Sequence, residues 1–371
     1  MTVTMNGSPA LGDFDGVDLD MLIRQGFRPV PVSGIRSLTA EVIGIDLAPA
    51  ESDEAFVPGS HIEVAIPLPS GPAIRHYSLL ADPARNMRVA ILRESQGRGG
   101  SAWLHDNLAS CTSLLVRGPR DTFGYDGDGP AYFVAGGIGI TPLTAMIAAA
   151  VASSRDWHLL YIGRRQESMA FAEALVAEYG PEKVTIHITE TAGRPDVVSV
   201  VDDWASVRTE PTTVYTCGPN PLMRALEVGF EHHPNVSVVS EQFDDEAAVP
   251  TRSISRSGGT TSAGLKGLGS APDVTAETAT SGNDKDFVVE LGDGSEVDVP
   301  ADCTIIEALS KAGVRTLSSC KKGTCGTCET VILDGRADHR DSVLSAEEHA
   351  AQETMMICVS RACGKRIALD L

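Results

Sequence analysis

The feature that most constrains this chain of 371 residues is a group of four cysteines in its C-terminal part. Cys320, Cys325 and Cys328 have the spacing C-x4-C-x2-C, and Cys358 follows after 29 further residues. This spacing is typical of a 2Fe–2S cluster, in which three thiolates lie on one tight loop and the fourth comes from a distant strand. Zinc or spare buried thiols are the alternatives, but zinc sites usually contain paired C-x2-C units and this segment has one.

The composition excludes several classes of protein. A formal net charge of −20 argues against a nucleic-acid-binding protein, which would need a basic face. No apolar run approaches the length of a membrane span, and the N-terminus lacks the basic-then-apolar pattern of a signal peptide. We therefore expect no nucleic acid, no membrane and a cytoplasmic location, where cysteines stay reduced and serve as metal ligands.

The remaining patterns predict a multidomain fold. Residues 1–32 form an N-terminal extension, and residues 33–126 show short β-branched runs broken by turns, which predict an antiparallel β-barrel. Strands and helices then alternate over residues 127–244, which predicts an α/β domain with a parallel sheet. Residues 245–284 are rich in Ser, Gly, Thr and Ala and predict a flexible linker. Residues 285–371 combine a hairpin, a capped helix and the cysteine loop, which suit a small α+β domain.

Two motifs of the barrel segment suit a flavin that carries a phosphate. The motif R-H-Y-S at 75–78 ends a strand, and G-R-G-G-S at 97–101 precedes a helix whose first N–H groups favour an anion. Arg75 and Arg98 would add charge-assisted hydrogen bonds, while Tyr77 would lie against the flavin ring. Read alone, each motif also fits ordinary surface packing or a well-capped loop.

Two further motifs follow strands of the predicted parallel sheet. G-G-I-G-I-T-P at 136–142 opens a helix where a dinucleotide pyrophosphate would bind, although it differs from the G-x-G-x-x-G fingerprint. C-G-P at 217–219 ends a later strand, and ligands of such sheets bind at the carboxyl ends of the strands. Cys217 would border the nicotinamide, but alone it also fits a buried core cysteine.

The order of these motifs, with the cysteine set last, resembles the phthalate dioxygenase reductase family, which includes the reductases of vanillate demethylase-type oxygenases. The resemblance covers residues 33–371. It implies a ferredoxin–NADP reductase-like barrel and nucleotide domain, followed by a plant-type ferredoxin domain of β-grasp fold. It also implies FMN, because the related reductases that use FAD carry the ferredoxin domain first.

The resemblance assigns site residues position by position. The implied FMN contacts are Arg75, Tyr77, Ser78, Ala90, Ile91, Leu92, Arg98, Gly99, Gly100, Ser101, Thr141 and Phe243. The implied contacts of the nicotinamide dinucleotide are Gly137, Gly139, Pro142, Arg164, Cys217, Gly218 and Pro219, and the cluster ligands are Cys320, Cys325, Cys328 and Cys358. No side chain is assigned as a catalytic acid or base, because the cofactors carry out hydride and electron transfer.

The choice of nicotinamide cofactor depends on a doubled arginine. Arg164 and Arg165 follow a strand at the place where the adenosine ribose would lie. Family members that use NADH also carry arginine in this region, which favours NADH. A doubled arginine would also suit the 2′-phosphate of NADPH, so this alternative stays open.

Together these features predict an NADH-dependent reductase. A nicotinamide delivers two electrons and the cluster accepts one at a time, so a flavin between them is required. The sequence shows no Rieske pattern, and no two-His-one-carboxylate constellation can be placed from the sequence alone, so we expect electrons to pass to a separate terminal oxygenase of the Rieske type. We also expect a monomer. The alternatives are a reductase for a haem-thiolate monooxygenase and a redox-sensing flavin and iron–sulfur protein. A flavin reductase that releases its product would not need the cysteines.

Overall fold

The computed structural model describes residues 14–48, 56–69, 71–82, 87–243 and 284–371. The chain divides into two units, residues 1–253 and 254–371. Except for Asp284, the predicted linker at 245–284 lies outside the described residues, as do residues 1–13 of the predicted extension. No helix of the described part is long and apolar enough to cross a membrane.

The first unit begins with a helix and a six-stranded antiparallel sheet. Its elements are α1 (Gly16–Arg24), β1 (Arg28–Ser37), β2 (Val42–Leu47), β3 (His61–Leu68), β4 (Gly71–Ser78), β5 (Met87–Leu92), α2 (Gly100–Asn107) and β6 (Ser113–Arg120). The strand order is β4-β3-β6-β1-β2-β5, and the end strands β4 and β5 contact each other. This closure forms the predicted barrel.

The first barrel strand begins earlier than the sequence pattern predicts. β1 starts at Arg28, inside the predicted extension, and its first residues pair with β6. Pro29 and Pro31 lie in this segment, and proline usually argues against a strand because it lacks a donor N–H. The strand forms because Val30 is buried in the barrel core and because β1 is paired along its length, with β6 up to Pro31 and with β2 from Val32.

The second layer of the first unit is a parallel sheet. Its elements are β7 (Ala131–Gly136), α3 (Ile140–Ala152), β8 (Trp157–Gly163), α4 (Ala172–Tyr179), β9 (Val184–Ile188), α5 (Thr189–Ala192), α6 (Val197–Ala205), β10 (Thr212–Cys217), α7 (Asn220–Phe230) and β11 (Val236–Glu241). The strand order is β11-β10-β7-β8-β9, and all pairs are parallel. β7 and β10 are buried along their whole length, because helices cover both faces of the sheet.

The second unit is a mixed sheet with a crossing helix. Its elements are β12 (Phe287–Glu290), β13 (Glu296–Val299), α8 (Ile305–Lys311), β14 (Glu329–Asp334), β15 (Ala337–Asp338), α9 (Ala346–Ala351), β16 (Thr354–Met356), β17 (Arg361–Ala362) and β18 (Arg366–Leu369). The main sheet has the order β13-β12-β18-β14-β16, with β12 and β18 parallel. α8 starts with the predicted capping box of Thr304 and Glu307 and buries Ile305 and Leu309 against this sheet.

Candidate functional site

Four cysteine thiols converge in the second unit. Cys320, Cys325 and Cys328 lie on the loop between α8 and β14, and Cys358 follows β16. β14 pairs with β16, and the N–H of Ile357 donates to the carbonyl of Cys328 at 3.4 Å. The side chains form two hydrogen-bonded pairs, Cys320 with Cys325 and Cys328 with Cys358. The fold therefore brings together all four residues that the spacing predicts as ligands.

The loop backbone and a threonine surround the first thiol pair with donors. The pKa of Cys320 is lowered to about 5 by hydrogen bonding from Cys325, followed by Thr324 Oγ1 and the N–H of Lys322. Thr324 Oγ1 lies 3.4 Å and the N–H of Lys322 lies 3.3 Å from Cys320 Sγ. Conversely, pairing with Cys320 and burial raise the pKa of the Cys325 thiol. Four neighbouring cysteine sulfurs are the donor set that iron binds as thiolates.

The predicted flavin residues lie where β4 meets the start of α2. Gly100 begins α2, and a β-carbon at this position would lie 2.8 Å from Nε of Arg75. The glycine thus lets the stem of Arg75 cross the first turn of the helix. The hydroxyl groups of Tyr77 and Ser78 are buried with no hydrogen-bond partner among the described residues.

Buried hydroxyl groups without partners cost free energy, so these two suit a bound group with polar edges. Burial also raises the pKa of Tyr77, which stays protonated and able to donate. The residues therefore fit a flavin at this position.

Two predicted flavin contacts use their hydroxyl groups within the protein. Ser101 Oγ accepts from the N–H of Glu94 at 3.0 Å, and Thr141 Oγ1 donates to the carbonyl of Ile138 at 3.0 Å. Ser101 thus ties the start of α2 to the loop before it, and Thr141 ties the start of α3 to the turn before it.

The other predicted flavin residues are spread over neighbouring elements. Ala90, Ile91 and Leu92 lie on β5, which contacts β4, while Gly99 is the residue before α2. Arg98 is exposed. Phe243 follows β11 and packs against the core of the parallel sheet.

The two predicted nucleotide loops pack backbone against backbone. A turn of 3₁₀ helix, Gly137–Gly139, leads from β7 into α3, and Pro142 is buried in the first turn of α3. A β-carbon at Gly139 would lie 2.2 Å from the carbonyl oxygen of Cys217, so only glycine allows this approach. Gly218 and Pro219 continue from Cys217 toward α7. Gly137 in the turn before α3 is exposed, whereas Ile140, Thr141 and Pro142 in the first turn of α3 are buried. A pyrophosphate would therefore reach this helix start through the turn.

A cavity of about 180 Å³ lies between the barrel and the parallel sheet within the first unit. Glu41, Val42 and Leu92 line it on the barrel side, and Ile138 and Arg164 on the sheet side. Its position at the carboxyl ends of β7 and β8 is where ligands bind in open parallel sheets.

Both members of the doubled arginine have acidic neighbours. The Arg164 side chain is 81% exposed, and its Nε lies 3.9 Å from Oε1 of Glu190. Arg165 Nε lies 3.6 Å from Oε1 of Glu167. The surface at the end of β8 is therefore mixed in charge, although the sequence shows two adjacent arginines.

Glu241 is a buried acid that the sequence reasoning missed. It ends β11 directly beside Cys217 of β10, and Thr122 Oγ1 donates to its Oε1 at 3.1 Å. Its Oε2 has no partner among the described residues. Burial raises the pKa of Glu241 to about 8, and burial followed by this nearby carboxyl raises the pKa of Cys217. The available signal was its place in S-E-Q-F, two residues before Phe243.

Comparisons with protein families agree with this geometry. Residues 133–227 match an oxidoreductase NAD-binding domain, and residues 288–363 match a 2Fe–2S iron–sulfur cluster binding domain. The chain is thus an electron-transfer oxidoreductase that joins these two domains to a flavin-type barrel.

Similar proteins identify the family within this class. The phenoxybenzoate dioxygenase subunit beta of Ectopseudomonas oleovorans is 36% identical over 337 residues, covering 89% of this chain and 93% of its own length. The solved structure of phthalate dioxygenase reductase, described as modular for electron transfer from pyridine nucleotides to 2Fe–2S, covers 95% of this chain and 100% of its own, with 30% identity and a TM-score of 0.59. The chain belongs to the phthalate dioxygenase reductase family, which confirms the family and fold class predicted from the motifs.

A third comparison concerns a longer protein. An intact type IV self-sufficient cytochrome P450 monooxygenase matches 93% of this chain at 35% identity and a TM-score of 0.68. The matched part is 41% of the P450 chain.

Family membership also confirms the predicted cofactor classes, namely a nicotinamide dinucleotide, a flavin and a 2Fe–2S cluster; phthalate dioxygenase reductase itself depends on FMN.

Proposed function

We propose that this chain takes electrons from NADH and passes them through FMN and a 2Fe–2S cluster to a separate terminal oxygenase of the Rieske type. The observation that carries the proposal is the convergence of four thiols in a domain that follows a nucleotide-binding sheet on the same chain. When bound, the flavin supplies the conversion between two-electron and one-electron transfer. The protein then contributes binding, orientation and electrostatics.

The thiol pairs suggest how the cluster is held. Cys320 and Cys325 would bind one iron, and Cys328 and Cys358 the other, because each pair is already in contact. The N–H of Lys322 would continue to donate to Cys320 sulfur, which stabilises a thiolate against the negative charge of its neighbours.

The flavin and nucleotide residues have distinct roles in this proposal. Arg75 would bind the flavin phosphate at the start of α2, while Tyr77 and Ser78 would donate their unpartnered hydroxyl groups to the cofactor. The turn Gly137–Gly139, which leads into α3, would bind the pyrophosphate of the dinucleotide. Cys217, which stays a neutral thiol, would border the nicotinamide without a charge of its own.

A preference for NADH over NADPH is supported by the acids beside the doubled arginine. Glu190 and Glu167 lie within 4 Å of Arg164 and Arg165 and offset their charge. A 2′-phosphate would meet these carboxylates and lose part of the attraction to arginine, whereas a ribose diol would find both donors and acceptors.

A reductase for a haem-thiolate monooxygenase is the second candidate function. It is favoured by one observation, the similarity of this chain to part of a self-sufficient cytochrome P450 monooxygenase. The two candidate functions differ in the acceptor protein, so the rates at which one preparation reduces a Rieske oxygenase and a P450 would distinguish them.

The cytoplasmic location and the monomeric state stay predictions from the sequence.

The experiment that tests the proposal is an anaerobic titration of the purified holoprotein, with the absorption spectrum recorded at each addition. We expect flavin and cluster bands to bleach together with NADH, and NADPH to require much higher concentrations. A redox-sensing protein without this function would keep its flavin oxidised after NADH addition. Bleaching of the flavin with an unchanged cluster band would contradict the proposed transfer between them.

A further inference from the structure

Three side chains outside the cluster loop converge in the second unit. His339 follows β15, Asp341 lies two residues later, and His349 lies on α9. One ligand atom from each residue can be chosen so that the three atoms lie within 4.8 Å of one another. The cysteine ligands take no part in this group.

The distances suit a small metal ion. Nδ1 of His339 lies 3.6 Å from Oδ1 of Asp341, and Nε2 of His349 lies 3.2 Å from Oδ2 of the same carboxylate. A tetrahedral zinc site with bonds of about 2.0–2.1 Å has ligand atoms about 3.3 Å apart. The two imidazole rings are stacked with centroids 4.5 Å apart and an angle of 19° between their planes, so one ring would turn about its Cβ–Cγ bond for both rings to direct a nitrogen at the same ion.

His339 is buried beside the Asp341 carboxylate without a hydrogen bond to it. Its side chain is 6% exposed, and neither ring nitrogen has a hydrogen-bond partner among the described residues. An imidazole buried in this way costs free energy unless another group bonds to it. Because Nδ1 of His339 lies near the Asp341 carboxylate, a metal ion between them would satisfy both.

The carboxylate is already fixed in position. The N–H of Leu344 donates to Oδ2 of Asp341 at 2.9 Å, and Ser360 Oγ donates to Oδ1 at 3.4 Å. Neighbouring hydrogen bonds of this kind orient metal ligands. The adjacent Arg340 is bonded to Asp284 and Asp338, so its charge is directed away from the group.

We propose that His339, Asp341 and His349 form a site for a divalent transition-metal ion, with Zn²⁺ as the ion that fits best. Two ring nitrogens and one carboxylate are ligands that zinc accepts, whereas Ca²⁺ and Mg²⁺ require sites made mostly of oxygen. Water would occupy the fourth position, because the site is open to solvent at His349, whose side chain is 30% exposed.

The site would connect a bound ion with the cluster loop. The N–H of Ser342, next to Asp341, donates to the carbonyl of Gly323 in that loop at 3.0 Å. A metal ion that joins Asp341 to α9 would therefore restrict the segment on which the cluster loop rests. We expect Zn²⁺ to slow the loss of cluster absorption when the holoprotein is heated.

The test uses the full chain with flavin and cluster bound, treated with a mild chelator and desalted. Zn²⁺ binding is measured by calorimetry, and Co²⁺ is used as a spectroscopic probe. We expect one ion per chain with a visible Co²⁺ spectrum typical of nitrogen and oxygen ligands. The variant His349→Gln keeps a side-chain donor for Asp341 but removes the ring nitrogen, and it should weaken binding by about tenfold or more.

The matched control is His233→Ala. His233 also pairs with an aspartate, Nε2 lying 3.3 Å from Oδ1 of Asp202, but it belongs to no three-ligand group of the described part. The control should bind Zn²⁺ like the parent chain. Absence of binding, equal affinity in His349→Gln, or sulfur-to-cobalt absorption bands would overturn the proposal. A second variant, His339→Gln, gives the same decision if His349→Gln fails to retain its cluster.

Discussion

Single buried polar groups show where this chain needs an additional partner. The hydroxyl groups of Tyr77 and Ser78 and one oxygen of Glu241 are buried without a partner among the described residues. The two hydroxyl groups lie at the proposed flavin position, and Glu241 lies beside Cys217 at the proposed nicotinamide position. Burial raises the pKa of Tyr77 and of Glu241, so the neutral forms of these two side chains are favoured.

The raised pKa of Glu241 predicts a pH dependence of stability. Its pKa is about 8 in the folded chain and 4.5 in an ordinary environment, so the folded state holds more protons between these values. The contribution of Glu241 to the stability of the folded state is fully present below pH 4.5 and is lost as the pH rises through about 8. Glu241→Gln removes this loss, so its thermal midpoint relative to the parent should rise between pH 5 and pH 8.

The measurement is thermal unfolding at both pH values, monitored by the fluorescence of the flavin that is released as the protein unfolds. The control Glu167→Gln changes a carboxylate that is 74% exposed, and it should leave the pH profile unchanged. Parallel pH profiles of Glu241→Gln and the parent chain would show that Glu241 is already ionised in the folded state.

Sequence spacing predicts residues that act together on one loop more readily than residues that meet by folding. Cys320, Cys325 and Cys328 were predictable because cluster geometry fixes their spacing. Glu241 was not, because a lone glutamate at a strand end reads as a surface residue until the register with Cys217 is known. Ser101 lies at a predicted flavin position on α2, and its hydroxyl accepts from the N–H of Glu94 in the preceding loop.

At the level of elements, the ends of strands and the starts of helices form the proposed sites. The alternation of strands and helices predicted the parallel sheet, and β7 and β10 are buried along their whole length although β10 contains three threonines. The start of β1 was less predictable because prolines lie in it. A buried ion pair of Glu63 and Arg117 joins β3 and β6. Burial by itself raises the pKa of Glu63, but hydrogen bonds from His76 and Arg117 outweigh this effect and hold the pKa below its usual range.

The contact between the two nucleotide loops predicts the effect of one added methyl group. Gly139→Ala would place a carbon 2.2 Å from the Cys217 carbonyl, so the turn before α3 must move. Overpacking of this kind costs about 1–3 kcal/mol, which corresponds to a rise of about tenfold in the KM for NADH if the cost falls on nucleotide binding.

The control is Gly16→Ala, because a β-carbon at Gly16 meets no atom within 4 Å. The measurement is steady-state reduction of ferricyanide at varied NADH concentration, with flavin and cluster spectra recorded for both variants. An unchanged KM in a fully loaded Gly139→Ala protein would show that nucleotide does not bind against this turn.

At the scale of the whole molecule, each unit supplies one part of the proposed electron path. The first unit holds the barrel and the NAD-binding sheet, and the second holds the thiol pairs. The predicted order of domains agrees with the family match over nearly the whole chain. Local patterns could predict this order because each domain has its own periodicity and motif. Residues 245–283 lie outside the described part of the chain, so the flexible linker stays a prediction from composition.

The most direct test of the proposed path is the Cys325→Ser variant, in which one ligand of the first thiol pair is removed. We expect NADH-dependent reduction of ferricyanide to continue at close to the parent rate, because the flavin and nucleotide residues lie in the other unit. Reduction of cytochrome c should fall to background, because this acceptor would depend on the cluster. Full cytochrome c reduction by a variant that lacks cluster absorption, or loss of ferricyanide reduction while flavin stays bound, would contradict the account.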